Sequence, residues 1–506
     1  MSSDASSGAE GRRLAPAGVG QEGVPAPRHP FALRDFAAAV LVLVVVLAVL
    51  APWYGYHRDE LYFRMLPLDW GYTDQPPLTP LLAHAAVHLL GDSVVALRVV
   101  PLLCAAGSLF LLALITREVG GDRRAQRFTA WAMAGATLTL LFGHVLLTAS
   151  LDLVVWPAAL LFAFRAVLRM DGRWWVAAGA VIGASTLNKV LVVVLMAGIA
   201  AGLAVVGPRR WFACRWMWAG VALAGVLAIP TVVYQIAHGW PQLAMGAALS
   251  QHNGAQVRIL MWPMLVLLVG PVLAAVWILG LVGLFRRPGW RQLRWFGVTV
   301  AVVVAFVFIG GTQYYYTAGV LATLVAIGAV PVTAWARTRG RRWLVAGLLV
   351  VNAVGCALTS LPLLPMQVFG ATGLAAINTA AGDQVGWETY AAQVSAASAA
   401  THADAVIASN YGEAGALNRF GRDLPPVVSG HNALGDDGGP PAGADTVVIV
   451  GSQGRRVANL FASCTQIATL DNRVGVKNEE QGQPITACRG PVAPWDRLWD
   501  RFRHLS

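Results

Sequence analysis

The heptapeptide HRDELYF, residues 57–63, sets His57, Arg58, Asp59 and Glu60 side by side directly after an apolar run. Residues of these types can do two kinds of chemistry. A single carboxylate can take the proton of a hydroxyl as a general base. Several carboxylates with an imidazole can hold a divalent cation, because hard oxygens suit Mg²⁺ or Mn²⁺ and histidine admits Zn²⁺. His57, Asp59, Glu60 and the next acid, Asp74 of YTDQPP, form the candidate metal set. A third reading needs no chemistry, since acids at the first turn of a helix in a solvated loop are favoured by the helix dipole. Tyr54, Tyr56, Tyr62, Phe63, Trp70 and Tyr72 interleave with these charges, a mixture suited to a membrane interface. The loop reads as two short helices, one opening at Asp59 and Glu60 and one, PPLTPLLAHAAVHLL, started by Pro76 and Pro77. On the second, His84 and His88 form an i, i+4 pair that fits zinc or, without an H-E-x-x-H pattern, an interfacial helix.

The elements that must position these residues are transmembrane helices. Hydrophobic residues make up 57% of the 506 positions and charged ones 12%, with a mean hydropathy of +0.59. Apolar runs suit about eleven spans, near 35–53, 93–116, 128–147, 153–170, 174–187, 190–207, 217–237, 259–285, 295–310, 316–336 and 343–363. The net charge of +11 resides largely in arginines between spans, with no basic stretch interleaved with stacking aromatics, which argues against nucleic acid. Six basic segments alternate with the spans: the N-terminus, 117–127, 169–173, 209–215, 286–294 and 337–342. The positive-inside rule makes all six cytoplasmic. The loop 54–92, the junctions near 148–152 and 187–189, the loop 238–258, the junction 311–315 and the tail from about 364 then lie outside. Of thirteen acidic residues before position 364, six fall on that outer face: Asp59, Glu60, Asp69, Asp74, Asp92 and Asp152.

Cations reach the same face. Lys189, one of only two lysines, sits between the fifth and sixth spans, Asp152 opens the fourth, and Arg258 lies at the mouth of the eighth. Each alone reads equally as an interfacial anchor. Together, a base for an acceptor hydroxyl and cations for a phosphate leaving group describe group transfer at the outer surface. No G-x-x-x-x-G-K-[ST] motif or cytoplasmic catalytic domain is present, so the expected donor is a lipid-linked phosphate diffusing in the membrane.

HRDELYF followed by YTDQPPLTPLL resembles the first extracytoplasmic loop of glycosyltransferase family 39, which includes protein O-mannosyltransferases and the transferase of aminoarabinose to lipid A. The resemblance extends to SLDLVVWP, TLNKVLVVVL, HGWPQL, GTQYYYTAG and NYGEAGALNRFG. It implies a GT-C fold and a sugar moved with inversion from a polyprenyl-phosphate donor to a glycan, lipid or protein acceptor. Carried over by motif, it implies Asp59 as catalytic base and Glu60 as the second acid, orienting the site or its acceptor. Asp74, Asp152 and Lys189 then line the cavity, with Lys189 on the donor phosphate. Gln75 and Gln313 depart from the family's usual charged residues, leaving Tyr314 and Tyr315 to donate hydrogen bonds at the second position.

The expected architecture is a disordered cytoplasmic segment 1–34, a transmembrane domain 35–363 and an extracytoplasmic α/β domain 364–506. In the last, ADAVIAS and DTVVIVGS read as strands, and EAGALNRFG and GRRVANLFAS as helices. Glu413 is a candidate acceptor contact, and the GSQG turn at 451–454 is either a phosphate cradle or an ordinary βα turn. Cys464 and Cys488 can form a disulfide if that domain meets an oxidising compartment, whereas Cys104, Cys214 and Cys356 read as packing residues. The rival functional class is a polytopic transporter or flippase, which would keep ionisable residues near the bilayer midplane. A membrane scaffold with an external binding domain is the other alternative, and it has no need of Asp59.

Overall fold

Most of the apolar runs fold into helices close to the positions that hydropathy gives. The computed structural model describes residues 29–506. The disorder expected at the N-terminus falls on 1–28, outside the described residues, while Leu33 and Arg34 already belong to the first helix. The helices are α1 (Leu33–Leu50), α2 (Arg58–Met65), α3 (Leu78–Leu90), α4 (Val94–Glu118), α5 (Arg123–Ala134), α6 (Thr137–His144), α7 (Thr148–Arg169) and α8 (Arg173–Ser185). They continue as α9 (Val192–Val205), α10 (Arg215–Ala237), α11 (Pro241–Leu267), α12 (Pro271–Arg286), α13 (Arg294–Gly310), α14 (Ala318–Trp335) and α15 (Arg339–Leu358). Among the described residues seven helices are long and apolar enough to cross a bilayer: α1, α4, α7, α10 and α15, with α13 and α14 each taken together with the 3₁₀ turn before it. The pair α11 and α12 makes an eighth if counted together, although its halves meet at 92°.

Two expected spans are interrupted, and one expected loop is a helix. The run 128–147 divides at Gly135 into α5 and α6, and the run 259–285 divides at Gly270, whose φ is +97°, with Pro271 starting the second half. A break frees backbone groups that no water can satisfy inside a bilayer, so a side chain must do it. Asn352 of α15 serves both breaks: its Nδ2 donates to the carbonyls of Val269 (3.2 Å) and Gly135 (3.5 Å), and its Oδ1 accepts from the amide of Val272 (3.1 Å). The expected outer loop 238–258 is instead mostly the first half of α11. Only His238, Gly239 and a left-handed Trp240 make the turn before Pro241 opens that helix.

Several of the basic segments meet at one end of the bundle. Arg117 donates to the carbonyl of His29 (2.8 Å), Arg127 pairs with Asp35 (3.6 Å), Arg165 and Arg169 pair with Glu118, and Trp290 donates to the carbonyl of Val119 (3.1 Å).

Beyond α15 come α16 (Met366–Ala371), α17 (Thr379–Gly382), α18 (Trp387–Thr401), α19 (Tyr411–Phe420), α20 (Gln453–Val457) and α21 (Trp495–Leu498). They surround strands β1 (Ala405–Ala408), β2 (Val427–Ser429), β3 (Thr446–Val450), β4 (Phe461–Thr469) and β5 (Pro484–Pro491). The sheet order is β2-β1-β3-β5-β4, with the first three strands parallel and β5 antiparallel to both neighbours. This is the small α/β unit read from the sequence, with one correction. The helix expected over 454–463 is a short one, α20 followed by a 3₁₀ turn, because Phe461 packs against Trp495 and Phe502 and starts β4 there. A Cys464–Cys488 disulfide ties that edge strand to β5. Removing the bond in the Cys464→Ala/Cys488→Ala variant should cost about 2–4 kcal/mol of stability. Thermal denaturation of the purified protein checks this, and an unchanged midpoint contradicts it.

Candidate active site

The start of α2 is held by a reciprocal cap. The Nδ1 of His57 accepts from the amide of Asp59 (3.2 Å), and the Oε2 of Glu60 accepts from the amide of His57 (2.8 Å). Glu60 has no exposed surface. Its carboxylate also takes Nε (3.1 Å) and Nη2 (3.0 Å) of Arg98 from α4, and the amide of Leu146 (3.0 Å). Arg98 in turn donates to the carbonyls of Ala51 (2.6 Å) and Gly55 (2.7 Å) and to Oε1 of Gln384 (3.0 Å). One buried cation therefore joins the end of α1, the start of α2 and the segment leading into the C-terminal unit. Glu60 is correspondingly out of reach of any acceptor.

Asp59, one position earlier, is half-buried and faces the C-terminal unit. Its Oδ1 accepts from the hydroxyl of Tyr411 (2.8 Å), and among the described residues its Oδ2 has no hydrogen bond. Tyr411, the first residue of α19, is stacked between Tyr62 (ring centroids 4.6 Å apart) and His431 (4.8 Å). Tyr62 donates to Oδ1 of Asp74 (3.1 Å) and Asn432 donates to its Oδ2 (3.3 Å). Burial, with the nearby charge of Asp59 adding to it, pushes the Asp74 carboxyl up to about 7. Burial also holds His431 down to about 3. It is the neutral tautomer, since its Nδ1 accepts from the amide of Tyr411 (3.1 Å) and its Nε2 meets the Ser506 hydroxyl (2.7 Å).

The loop helix α3 is bolted to the membrane bundle. The amide of Leu78 donates to Leu187 (2.9 Å), Thr79 donates to Oδ1 of Asn188 (2.6 Å), and Asn188 donates to the carbonyl of Thr148 (2.9 Å). This fixes the turn between α8 and α9, where Lys189 reaches Asp152 (3.4 Å). The Lys189 ammonium also lies over the rings of Tyr316 (4.8 Å) and Tyr315 (5.4 Å). Tyr315 is within electrostatic range of Asp59 and Tyr411 as well as of Asp152 and Tyr316. Asp59, Asp74, Asp152, Lys189 and Tyr315 thus belong to one neighbourhood. Tyr314 packs edge-on against Tyr315.

Other expectations are corrected. The four candidate metal ligands do not converge: Glu60 faces Arg98, Asp74 faces Tyr62 and Asn432, and His57 faces Asp383 (3.9 Å). Among the described residues no group of three or more His, Cys, Asp and Glu is arranged to hold an ion. His84 does not pair with His88 for zinc, because its Nε2 engages the carbonyl of Leu66 (2.7 Å). Arg258 spends two donors on the carbonyls of Phe308 (3.2 Å) and Ile309 (3.1 Å), at the end of α13, though it stays exposed beside Gly311. Glu413 is buried and cannot touch an acceptor; it caps its own helix through the amides of Ser409 (2.7 Å) and Asn410 (3.2 Å). Its carboxyl group lies against Gly451, occupying the place where the GSQG turn would cradle phosphate.

Sequence reading missed Arg98, Tyr62, Tyr411, His431 and Asn432. The signal for Arg98 was a lone arginine inside VVALRVVP. Nothing local in NYGEAG points Tyr411 at a residue 352 positions away.

Two outcomes follow from this geometry. Arg98→Leu leaves a buried carboxylate unpaired and should cost about 3–5 kcal/mol of stability, read as a lowered thermal midpoint; a midpoint like that of wild type contradicts it. For Asp74 the folded protein binds the proton more tightly than the unfolded chain. Its contribution is therefore fully present at low pH, falls as pH rises from the ordinary carboxylate range to about 7, and is level above. Thermal midpoints of wild type and Asp74→Asn across that range should diverge in favour of the variant, and parallel curves contradict the assignment.

Residues 74–234 match the family described as dolichyl-phosphate-mannose-protein mannosyltransferase. The match begins at Asp74 and so leaves HRDELYF outside it. No curated protein matches the chain by sequence. Among solved structures, ArnT from Cupriavidus metallidurans in the apo state is similar, with a TM-score of 0.59 at 14% identity over 90% of this chain and 97% of that one. The same protein bound to undecaprenyl phosphate aligns with a TM-score of 0.57 at 15% identity and equal coverage. At these identities the likeness concerns the fold. With the family match over 74–234, it shows that this chain, one third of which resembles the mannosyltransferase family, is a multi-pass helical membrane protein with the fold of ArnT.

Proposed function

We propose that the chain is an inverting glycosyltransferase that moves a sugar from a polyprenyl-phosphate donor to an acceptor hydroxyl at the extracytoplasmic face of the plasma membrane. The observation that carries this reading is Tyr315, which lies within electrostatic range of a carboxylate with an unbonded oxygen, Asp59, and whose ring is 5.4 Å from the ammonium of the one lysine of the membrane region, Lys189. In a single displacement, Oδ2 of Asp59 takes the acceptor proton while the hydroxyl oxygen bonds to the anomeric carbon. The bond from that carbon to the phosphate oxygen breaks, and its electron pair leaves with the polyprenyl phosphate. Lys189 holds the leaving phosphate, Tyr315 and Tyr314 supply hydroxyl donors, and exposed Arg258 offers a second cation at the mouth. Glu60 is a positioning residue that keeps α2 against Arg98. Asp74, with a pKa of about 7, populates both protonation states at physiological pH and is suited to hydrogen-bond a sugar hydroxyl as donor or acceptor.

The orientation rests on two features at opposite ends. Arginine segments gather at one end of the bundle, and the disulfide lies in the unit that carries Tyr411 to Asp59. Positive residues favour the cytoplasm and disulfides persist in oxidising compartments. The carrier class is supported by the similar ArnT, solved with undecaprenyl phosphate bound. A transporter or flippase is not favoured, because the Asp59 and Asp74 carboxylates lie on the first-loop helices and the segment between them rather than at mid-span.

Reconstituted liposomes, given a panel of radiolabelled polyprenyl-phosphate sugars and crude envelope acceptor, test the reading. Wild type should consume one donor. Asp59→Asn should lose roughly 10²–10⁴-fold in rate, and Lys189→Ala should raise the donor KM. Transfer by Asp59→Asn at the wild-type rate would sink the assignment of the base.

A further inference from the structure

Helix α19 lies unusually close to α2, and glycine is the reason. A β carbon at Gly415 would stand 2.8 Å from Cβ of Leu61 and 3.0 Å from its carbonyl carbon; one at Gly412 would stand 2.9 Å from the Trp387 ring and 3.0 Å from Cβ of Arg58. The two glycines are three positions apart and present a bare stripe on which the catalytic helix rests. That approach places the first side chain of α19, Tyr411, at Asp59.

The ring cannot wander. Tyr62 and His431 stack on its two sides, the Arg58 guanidinium lies 4.9 Å from its centre, and its own amide is held by His431. His431 is fixed by Ser506 and stacks on His504, 4.7 Å away. The hydroxyl therefore meets Oδ1 of Asp59 from a preset direction, leaving Oδ2 as the oxygen open to a proton.

We infer that Tyr411, carried by the C-terminal unit, is a positioning residue for the Asp59 base. The inference rests on the reading of Asp59 given above. It makes the C-terminal unit part of the catalytic centre, because the rotamer of the base is set from a different part of the chain. It also distinguishes the two carboxylates: Tyr411 orients Asp59, whereas its stacking partner Tyr62 orients Asp74.

Tyr411→Phe keeps the stack and deletes only the hydroxyl. In liposomes, with the donor that wild type consumes from a panel of synthetic undecaprenyl- and decaprenyl-phosphate sugars, it should lower kcat ten- to a hundredfold and leave the donor KM within twofold. A kcat equal to that of wild type, or an effect on KM alone, overturns the inference. Asp59→Asn is run beside it. If that variant is silent while Tyr411→Phe is fully active, only the role of Tyr411 falls; if Asp59→Asn is itself active, both readings fall. A donor-free arm uses thermal midpoints of the two single variants and the double variant. Coupled residues give shifts that do not add, and additive shifts overturn the inference.

Discussion

The buried pair of Arg98 and Glu60 is the constraint on which the site depends. Both side chains are almost wholly removed from water, at 2% and 0% exposure. Desolvating two charges is costly, and such a pair persists where its geometry and additional hydrogen bonds offset the cost. Here every polar edge is used: Glu60 collects two backbone amides, and Arg98 collects three backbone carbonyls, Gln384 and His144. An apolar pair of similar size could fill the space, but it could not hold α1, α2, the entry to α7 and the C-terminal segment in one register. Because successive helix positions diverge by about 100°, anchoring Glu60 on Arg98 turns Asp59 away from that pair and toward Tyr411.

The remaining parts are brought to Asp59 from two directions. From the membrane side, the hydrogen bonds of Thr79 and Asn188 tie the turn bearing Lys189 to α3 and α7, which fixes the cation relative to the first-loop helices. From the other side, the glycines of α19 let it settle on α2 and deliver Tyr411. The aromatic stack from Tyr62 through Tyr411 and His431 to His504 carries rigidity from the loop to the end of the chain without charge, since His431 stays neutral at physiological pH.

Much of this was legible in the sequence where the signal is local. Apolar runs located most helices, HRDELYF and YTDQPP marked the loop that bears the acids, and the alternation of arginine segments placed Asp152 and Lys189 on the same face as Asp59. What failed were readings in which a local pattern competes with a distant partner. The 128–147 run looked continuous because the side chain that satisfies its break, Asn352, lies more than two hundred positions later. GRRVANLFAS has helical spacing, yet the apolar cluster around Trp495 and Phe502 draws Phe461 into a strand. Glu413 looked like an exposed polar residue of a surface loop, and it is a buried cap. The adjacent acids of the first loop looked like a pair sharing one task, and the helix turns them in different directions.

The central claim is that the donor phosphate sits beside Lys189 and Tyr315 with Asp59 across from it. The most direct measurement is a cryo-EM reconstruction of the full chain in nanodiscs with undecaprenyl phosphate. The account predicts phosphate density within hydrogen-bonding distance of the Lys189 ammonium, with the isoprenoid chain leading out between the membrane helices. Phosphate density at the arginine-rich end of the bundle, or remote from Lys189 on the outer face, would contradict it.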